Sequence, residues 1–259
     1  MSKLENIKNN EPATKKKYHA KTNIVHPIFN RKNFESQEEC FLGISLENKN
    51  FVPEKFIAMA KWINQRFKRC HILIGDSIHR ITLETNKKYT PEHAFPEAIK
   101  LGEAYRDQAI AQLELYKFQT EFSFVTCYSL QQTPEYQNFH SNIDHFFYFS
   151  KKFRESVEKF SLIFHRYHWD NLNELQRKYC IDKSSQYFLE EFSIFACLVK
   201  KGINVMVYPG TFGPLTEIVN GEHNGIIDEL ENLTVISLNI KNVNKSKSRG
   251  FINEWKYIK

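Results

Sequence analysis

The chain has 259 residues, a formal charge of +6 from 36 Lys+Arg against 30 Asp+Glu, and only 9 glycines and 8 prolines. With 41% hydrophobic residues, among them 22 Phe and 12 Tyr, it has too much to bury for a disordered chain and is long enough for one sizeable core. Neither GxxxxGK[ST] nor GxGxxG occurs, which argues against the common nucleoside-triphosphate enzymes, whose phosphate loops need bare backbone.

The charge is uneven: residues 1–32 carry a net +6 and residues 241–259 a net +5, leaving −5 on the remainder. Residues 1–35 are polar, lysine-rich and without sustained periodicity, and read as a flexible basic arm. Residues 36–259 read as one domain that ends in a basic tail from about 241. Cys40-Phe-Leu-Gly-Ile-Ser45 is a short apolar strand ending in Gly-x-Ser, after which Asn48, Asn50 and Pro53 mark a loop. The helix opened there carries Phe56, Met59, Ile63 and Phe67 at helical spacing. A second strand, 71–75, runs into Asp76-Ser77, and beyond a polar loop a long helix is expected over about 91–118. Residues 122–128 read as a third strand, 134 to about 167 as one long aromatic helix, and about 185–200 as another that Gly202 stops. Residues 205–209 and 234–240 supply the last two strands.

Short all-apolar strands separated by helices predict an α/β fold with a mostly parallel sheet covered on both faces. The ligand site of such a sheet lies at the carboxyl ends of its strands, where Gly43-Ile-Ser45, Gly75-Asp-Ser77 and Tyr208-Pro209 fall. No apolar run approaches the roughly 20 residues that cross a bilayer, and Met-Ser-Lys-Leu-Glu-Asn at the start has no apolar signal core. A soluble cytoplasmic protein, monomeric and without membrane contact, is expected. The five widely spaced cysteines, flanked by apolar residues, suit buried reduced thiols. There is no HExxH, and neither a metal nor a cofactor is expected.

Ser45 and Ser77 each follow Gly-x just past a strand, where a serine hydroxyl is exposed as an acyl acceptor. Neither has the second glycine of a nucleophile elbow, because Glu47 and His79 stand there, and a loop serine that caps the next helix is the competing reading. Tyr187 and Glu191 are four apart and share one helix face. A phenol beside a carboxylate suits an α-amino group, although on the residues alone a solvated or ion-paired carboxylate is the commoner reading.

Taken together these stretches resemble the tRNA-dependent cyclodipeptide synthases. The first signature of that family, an apolar strand ending Gly-[aliphatic]-Ser, reads Phe41-Leu-Gly-Ile-Ser45-Leu-Glu-Asn48. The family's Trp and Gln-Arg-Phe near the end of the next helix appear as Trp62 and Gln65-Arg66-Phe67, and the aspartate after the following strand as Asp76. A Thr-Pro-Glu-Tyr-Gln run appears at 133–137, the second signature as Tyr187-Phe-Leu-Glu-Glu191-Phe-Ser193, and the tyrosine ending the next strand as Tyr208. The matches are colinear from about 39 to 214. Departures are Glu39 where the family often has His, Ser193 for the usual Pro, and Asn48 with Pro209, which belong to different subgroups. The family's arginine-rich helix is also missing, since residues 91–119 hold three basic against five acidic side chains.

The resemblance implies a Rossmann-like fold similar to the catalytic domain of class I aminoacyl-tRNA synthetases of the tyrosyl/tryptophanyl type. It implies an aminoacyltransferase that makes a cyclic dipeptide from two aminoacyl-tRNAs by ping-pong chemistry, with Ser45 as nucleophile. Tyr187 and Glu191 would hold the α-ammonium, Glu191 would help deprotonate the incoming second amine, Tyr208 would relay a proton at ring closure, and Asn48 would assist an oxyanion. The first amino-acid pocket is assigned to Phe41, Gly43, Leu73, Ile194 and Met206, with Gly75 and Pro209 as further substrate-binding residues, and bulky Phe41 points to a small first residue. For tRNA the candidates are Lys15, Lys16 and Lys17, then Lys151, Lys152 and Arg154, and the run 245–249. The rival readings are a serine hydrolase or acyltransferase of another type, with a histidine such as His79 as base, and a non-catalytic binder of aminoacyl-tRNA.

Overall fold

The computed structural model describes residues 17–165, 169–210 and 213–243, so Lys15, Lys16, His168, the end of the long aromatic stretch and the basic run 245–249 lie outside the described residues. Six strands, β1 (Tyr18–His26), β2 (Glu39–Ile44), β3 (Arg69–Ile74), β4 (Glu121–Thr126), β5 (Val205–Tyr208) and β6 (Thr234–Asn242), form one sheet in the order β1-β6-β5-β2-β3-β4. All neighbours pair parallel except β1, which runs antiparallel to β6. The helices are α1 (Pro53–Asn64), α2 (Asp76–Lys87), α3 (Pro91–Glu114), α4 (Cys127–Gln131), α5 (Pro134–Phe149), α6 (Lys151–His165), α7 (Glu174–Lys200), α8 (Gly213–Val219) and α9 (Asp228–Glu231).

β2 is central and buried on both faces, which is why its sequence is continuously apolar rather than alternating. Phe41 packs with Leu73 and Met206 toward α5 and α7, while Leu42 and Ile44 pack with Ile72, Ile74, Phe56 and Met59 on the α1 side. Burying an aliphatic or aromatic side chain of this kind is worth about 1.5–3 kcal/mol. The mostly parallel sheet with a core on each face matches the expectation from the sequence. All five cysteines are buried and free. Among the described residues no helix is long and apolar enough to cross a membrane, and no group of three or more His, Cys, Asp or Glu is placed to hold a metal ion.

Four expectations need correction. The arm assigned to residues 1–35 gives way at Tyr18 to a nine-residue edge strand. Ala20 and Val25 of that strand are both buried, but a bulge between Thr22 and Ile24 breaks the two-residue period by which a strand is read. The polar loop after Ser77 is α2, whose Ile78, Ile81 and Leu83 are buried between its charged residues. The long aromatic helix is two helices, because Ser150 takes extended backbone (φ −91°, ψ 99°) and its Oγ accepts the Phe153 N–H at 3.3 Å to start α6. Finally, α7 begins at Glu174, where Asn173 and Gln176 form a capping box.

Candidate active site

Ser45 is the first residue beyond β2, at the edge where the carboxyl ends of β2, β3 and β5 meet. Gly75 ends the neighbouring strand, and its N–H donates to the Ile44 carbonyl at 3.0 Å. A β-carbon at Gly75 would lie 2.9 Å from that same oxygen, so the close approach of the two strands requires glycine. Tyr208, the last residue of β5, donates from its hydroxyl to Ser45 Oγ at 3.4 Å. α7 supplies Tyr187 and Glu191 one turn apart, and the Tyr187 hydroxyl interacts with both Ser45 and Glu191. Ser45, Tyr187, Glu191 and Tyr208, far apart in sequence, are thus brought together from three elements.

The electrostatics of this cluster follow from burial. Glu191 is 8% exposed and its Oε2 has no hydrogen-bond partner. Burial pushes its carboxyl up to about 8, with the Tyr187 hydroxyl opposing the shift. Burial also pushes the Tyr208 phenol up to about 12, opposed by its hydrogen bond to Ser45, and moves the Tyr187 phenol in the same direction. A buried carboxyl with one oxygen unpartnered is costly unless a donor arrives, and a cationic amine supplies both hydrogen bonds and charge.

Two cavities flank Ser45. The smaller, of about 10 Å³, is lined by Gly43, Leu73, Gly75 and Met206 together with Phe195 and Glu191. The larger, of about 510 Å³, is lined by Ser45, Tyr187 and Tyr208 together with Asn48, His79 and Pro209. Gly43, Leu73, Gly75 and Met206 line the small cavity, and two residues assigned to the first pocket do not. Phe41 and Ile194 are fully buried and do not line the small cavity. Phe195 takes the place assigned to Ile194, because 187, 191 and 195 follow the helical repeat and share one face. Phe41 packs behind Phe195 at 5.5 Å between ring centroids. Pro209 lines the larger cavity. Asn48 lies on the wall of the larger cavity, with its Oδ1 accepting the Asn50 N–H at 2.9 Å.

The second candidate serine has a different place. Ser77 is buried and donates to Gln131 Oε1 at 2.6 Å. It belongs to a polar network in which Arg80 donates to both oxygens of Glu190, at 2.9 and 2.5 Å, and to the Ser77 carbonyl at 2.9 Å. Gln131 and Gln186 complete the shell of Glu190 at 3.0 and 2.9 Å. Sequence reasoning missed this network because Arg80 and Glu190 are 110 residues apart. It also missed a second cluster beside Ser45, in which Glu47 receives His79 Nε2 at 3.1 Å and Lys87 Nζ at 2.5 Å. The signal was the placement of Glu47 and His79, each two residues after a candidate serine.

The basic candidates are engaged locally. Lys151 pairs with Glu155 at 3.6 Å, Lys152 donates to the Glu222 carbonyl at 2.9 Å, and Arg154 donates to the Tyr148 carbonyl at 2.7 Å. Lys17 is exposed immediately before β1.

The model of the cyclodipeptide synthase family matches residues 18–199. The comparison with curated proteins gives no match. Among solved structures, a cyclodipeptide synthase from Fluoribacter dumoffii superposes with a TM-score of 0.71 at 21% identity, covering 87% of this chain and 99% of that one. One from Bacillus thermoamylovorans gives 0.69 at 17% identity, covering 87% and 97%. A Mycobacterium tuberculosis protein, whose structure relates cyclodipeptide synthetases to type I tRNA synthetases, gives 0.62 at 15% identity, covering 80% and 87%. At these identities the structures establish the fold.

Proposed function

The chain belongs to the cyclodipeptide synthase family, and from that premise we propose that it joins two aminoacyl groups, each delivered by an aminoacyl-tRNA, into a 2,5-diketopiperazine through esters of Ser45. The observation that carries this reading is the convergence of Tyr208, Tyr187 and the Glu191 carboxyl, one of whose oxygens has no partner among the described residues, on a serine with a cavity on either side.

An aminoacyl-tRNA is already an activated ester, so its transfer to a serine hydroxyl is close to isoenergetic and needs positioning and proton handling. Ser45 Oγ attacks the first ester carbonyl, the bond to the tRNA ribose breaks, and the tRNA hydroxyl leaves. The side chain of that first residue enters the small cavity, whose size admits only a small group, and its α-ammonium lies between Tyr187 and Glu191. Meeting the ammonium, Glu191 ionises and then accepts a proton as the amine attacks the second aminoacyl-tRNA, which releases its tRNA and leaves a dipeptide on Ser45. The amine of the second residue then attacks the Ser45 ester, the ring closes, and Tyr208 protonates the departing Oγ across the 3.4 Å hydrogen bond. Backbone N–H groups after Ser45 and the Asn48 amide stabilise the oxyanion formed at each step. The protein works as a cytoplasmic monomer, and the lysine-rich segments before β1 and after β6 supply phosphate contacts in place of a basic helix.

Incubation with charged tRNAs, followed by mass spectrometry of product and protein, tests the proposal. The expected result is a diketopiperazine and an aminoacyl adduct on Ser45, with Ser45→Ala losing both. Product at the normal rate from Ser45→Ala rejects the covalent route. Free amino acid alone marks a hydrolase, and tRNA affinity without product a binder.

A further inference from the structure

The four-residue cluster contains one group suited to accept a proton from the first amine, but ring closure depends on a different amine, that of the second residue. Glu191 lines the small cavity and is not among the walls of the large one. The large cavity is the only one of the two with room for a second aminoacyl group, and it contains a base of its own. His79, in the first turn of α2, is 4% exposed and lines that cavity together with Ser45 and Tyr208.

Its tautomer follows from its partner. Glu47 accepts from Lys87, and that hydrogen bond holds its carboxyl below the usual range, so Glu47 acts toward His79 as an acceptor. The proton of the imidazole must therefore sit on Nε2, which is 3.1 Å from Glu47 Oε2. Nδ1, for which no described residue is a hydrogen-bond partner, carries the lone pair. Burial lowers the pKa of His79, with Glu47 opposing, so the imidazole is neutral at pH 7. A carboxylate fixing one nitrogen while the other faces a reacting group is the arrangement that makes histidine a general base. Glu47 itself is held in the left-handed region (φ 57°) two residues after Ser45, which ties this dyad to the turn that presents the nucleophile. The other titratable groups on the cavity wall are Lys87, Tyr187 and Tyr208.

We propose that His79 is the base for ring closure: its Nδ1 takes the proton from the α-amine of the second residue as that nitrogen bonds to the Ser45 ester carbon. In the same step the carbon–Oγ bond breaks and Ser45 regains a proton from Tyr208; the imidazolium then gives up its proton and the Tyr208 phenolate takes one back through solvent, so both groups are restored and no other reactant is needed. Glu47 is a positioning residue for His79. The assignment rests on the Ser45 reading above and divides the base work by cavity, with Glu191 for the first amine and His79, in place of the Glu191 that the family resemblance implied, for the second.

The test is single turnover of the full chain with charged tRNAs, following Ser45 adducts by intact-protein mass spectrometry and product by chromatography. In His79→Asn the aminoacyl adduct forms at the wild-type rate, which also shows that the variant folds. The dipeptidyl adduct persists, and product release at pH 7 falls about a hundredfold. The defect shrinks as the pH is raised to about 9, where the amine sheds its proton unaided. Added imidazole restores release in His79→Gly, and Glu47→Gln moves the acid limb of the release profile without abolishing product. Wild-type release and an unchanged pH profile in His79→Asn would overturn the proposal, as would a defect falling equally on the first acylation. Absence of any Ser45 adduct on the wild-type protein overturns the Ser45 reading and this one with it.

Discussion

Glu190 and Glu191 are consecutive residues of α7, similarly buried at 4% and 8% exposure, and their surroundings are opposite. Glu190 meets the fork of Arg80 and the amides of Gln131 and Gln186, so both its oxygens are satisfied. Glu191 has the Tyr187 hydroxyl, an apolar pocket wall and an oxygen without a partner. The two sides of one helix show that burial alone does not make a carboxylate chemical. A complete shell turns it into a structural tie, and an incomplete one leaves it waiting for a ligand.

The contrast is open to direct attack. The largest effect is expected from Glu190→Ala, which strands the Arg80 guanidinium in a part-buried site and should cost about 3–5 kcal/mol of unfolding free energy in urea titrations. Glu191→Gln should do the reverse: product formation falls about a hundredfold while the urea midpoint at pH 7 is not lowered. A third measurement concerns pH. The folded carboxyl of Glu191 titrates near 8, above its unfolded value, so between about pH 4.5 and 8 the folded state retains a proton that the unfolded state has lost. Stability contributed by this group is therefore lost as pH rises through that window, by on the order of 1 kcal/mol per pH unit. Comparing wild type with Glu191→Gln, the difference in unfolding free energy should show that slope; parallel curves would mean that Glu191 is not held protonated. The smallest effect is Arg80→Lys, which keeps the charge but loses the bidentate fork and should cost about 1–2 kcal/mol. A cost as large as that of Glu190→Ala would show that the fork, and not charge neutralisation, holds α2 to α7.

These outcomes also mark how far the sequence could be read. The strand before Ser45, the glycines that end it and its neighbour, and the Tyr187/Glu191 spacing are local patterns, and each corresponds to an element found in the fold. β1 was illegible because its bulge scrambles the alternation. α2 was illegible because threonine, glutamate, asparagine and lysine outnumber the three apolar residues that dock it. Ser150 interrupts an aromatic periodicity that continues on both sides of it. Arg80 with Glu190 is a partnership of tertiary structure of which spacing along the chain carries no trace, and His79 with Glu47 is marked only by each standing two residues after a candidate serine.

The antiparallel pairing of β1 with β6 has a consequence for long-range electrostatics. Tyr18 lies opposite Asn242, and the Val243 N–H donates to the Lys17 carbonyl at 2.8 Å. Lys17 and Val243 therefore lie side by side. Residues 17–243 hold equal numbers of basic and acidic side chains, so the whole formal +6 belongs to the sequence outside them. β6 is level with Tyr208 at Ser237 and continues in the same direction to Asn242, which carries the pair roughly 17 Å beyond the carboxyl edge of the sheet. Lys17 and Val243, the ends of that net-neutral body, lie on the side of the sheet where Ser45 lies, and because the charge excess belongs to the sequence outside it, capture of a polyanion should weaken steeply as salt is raised.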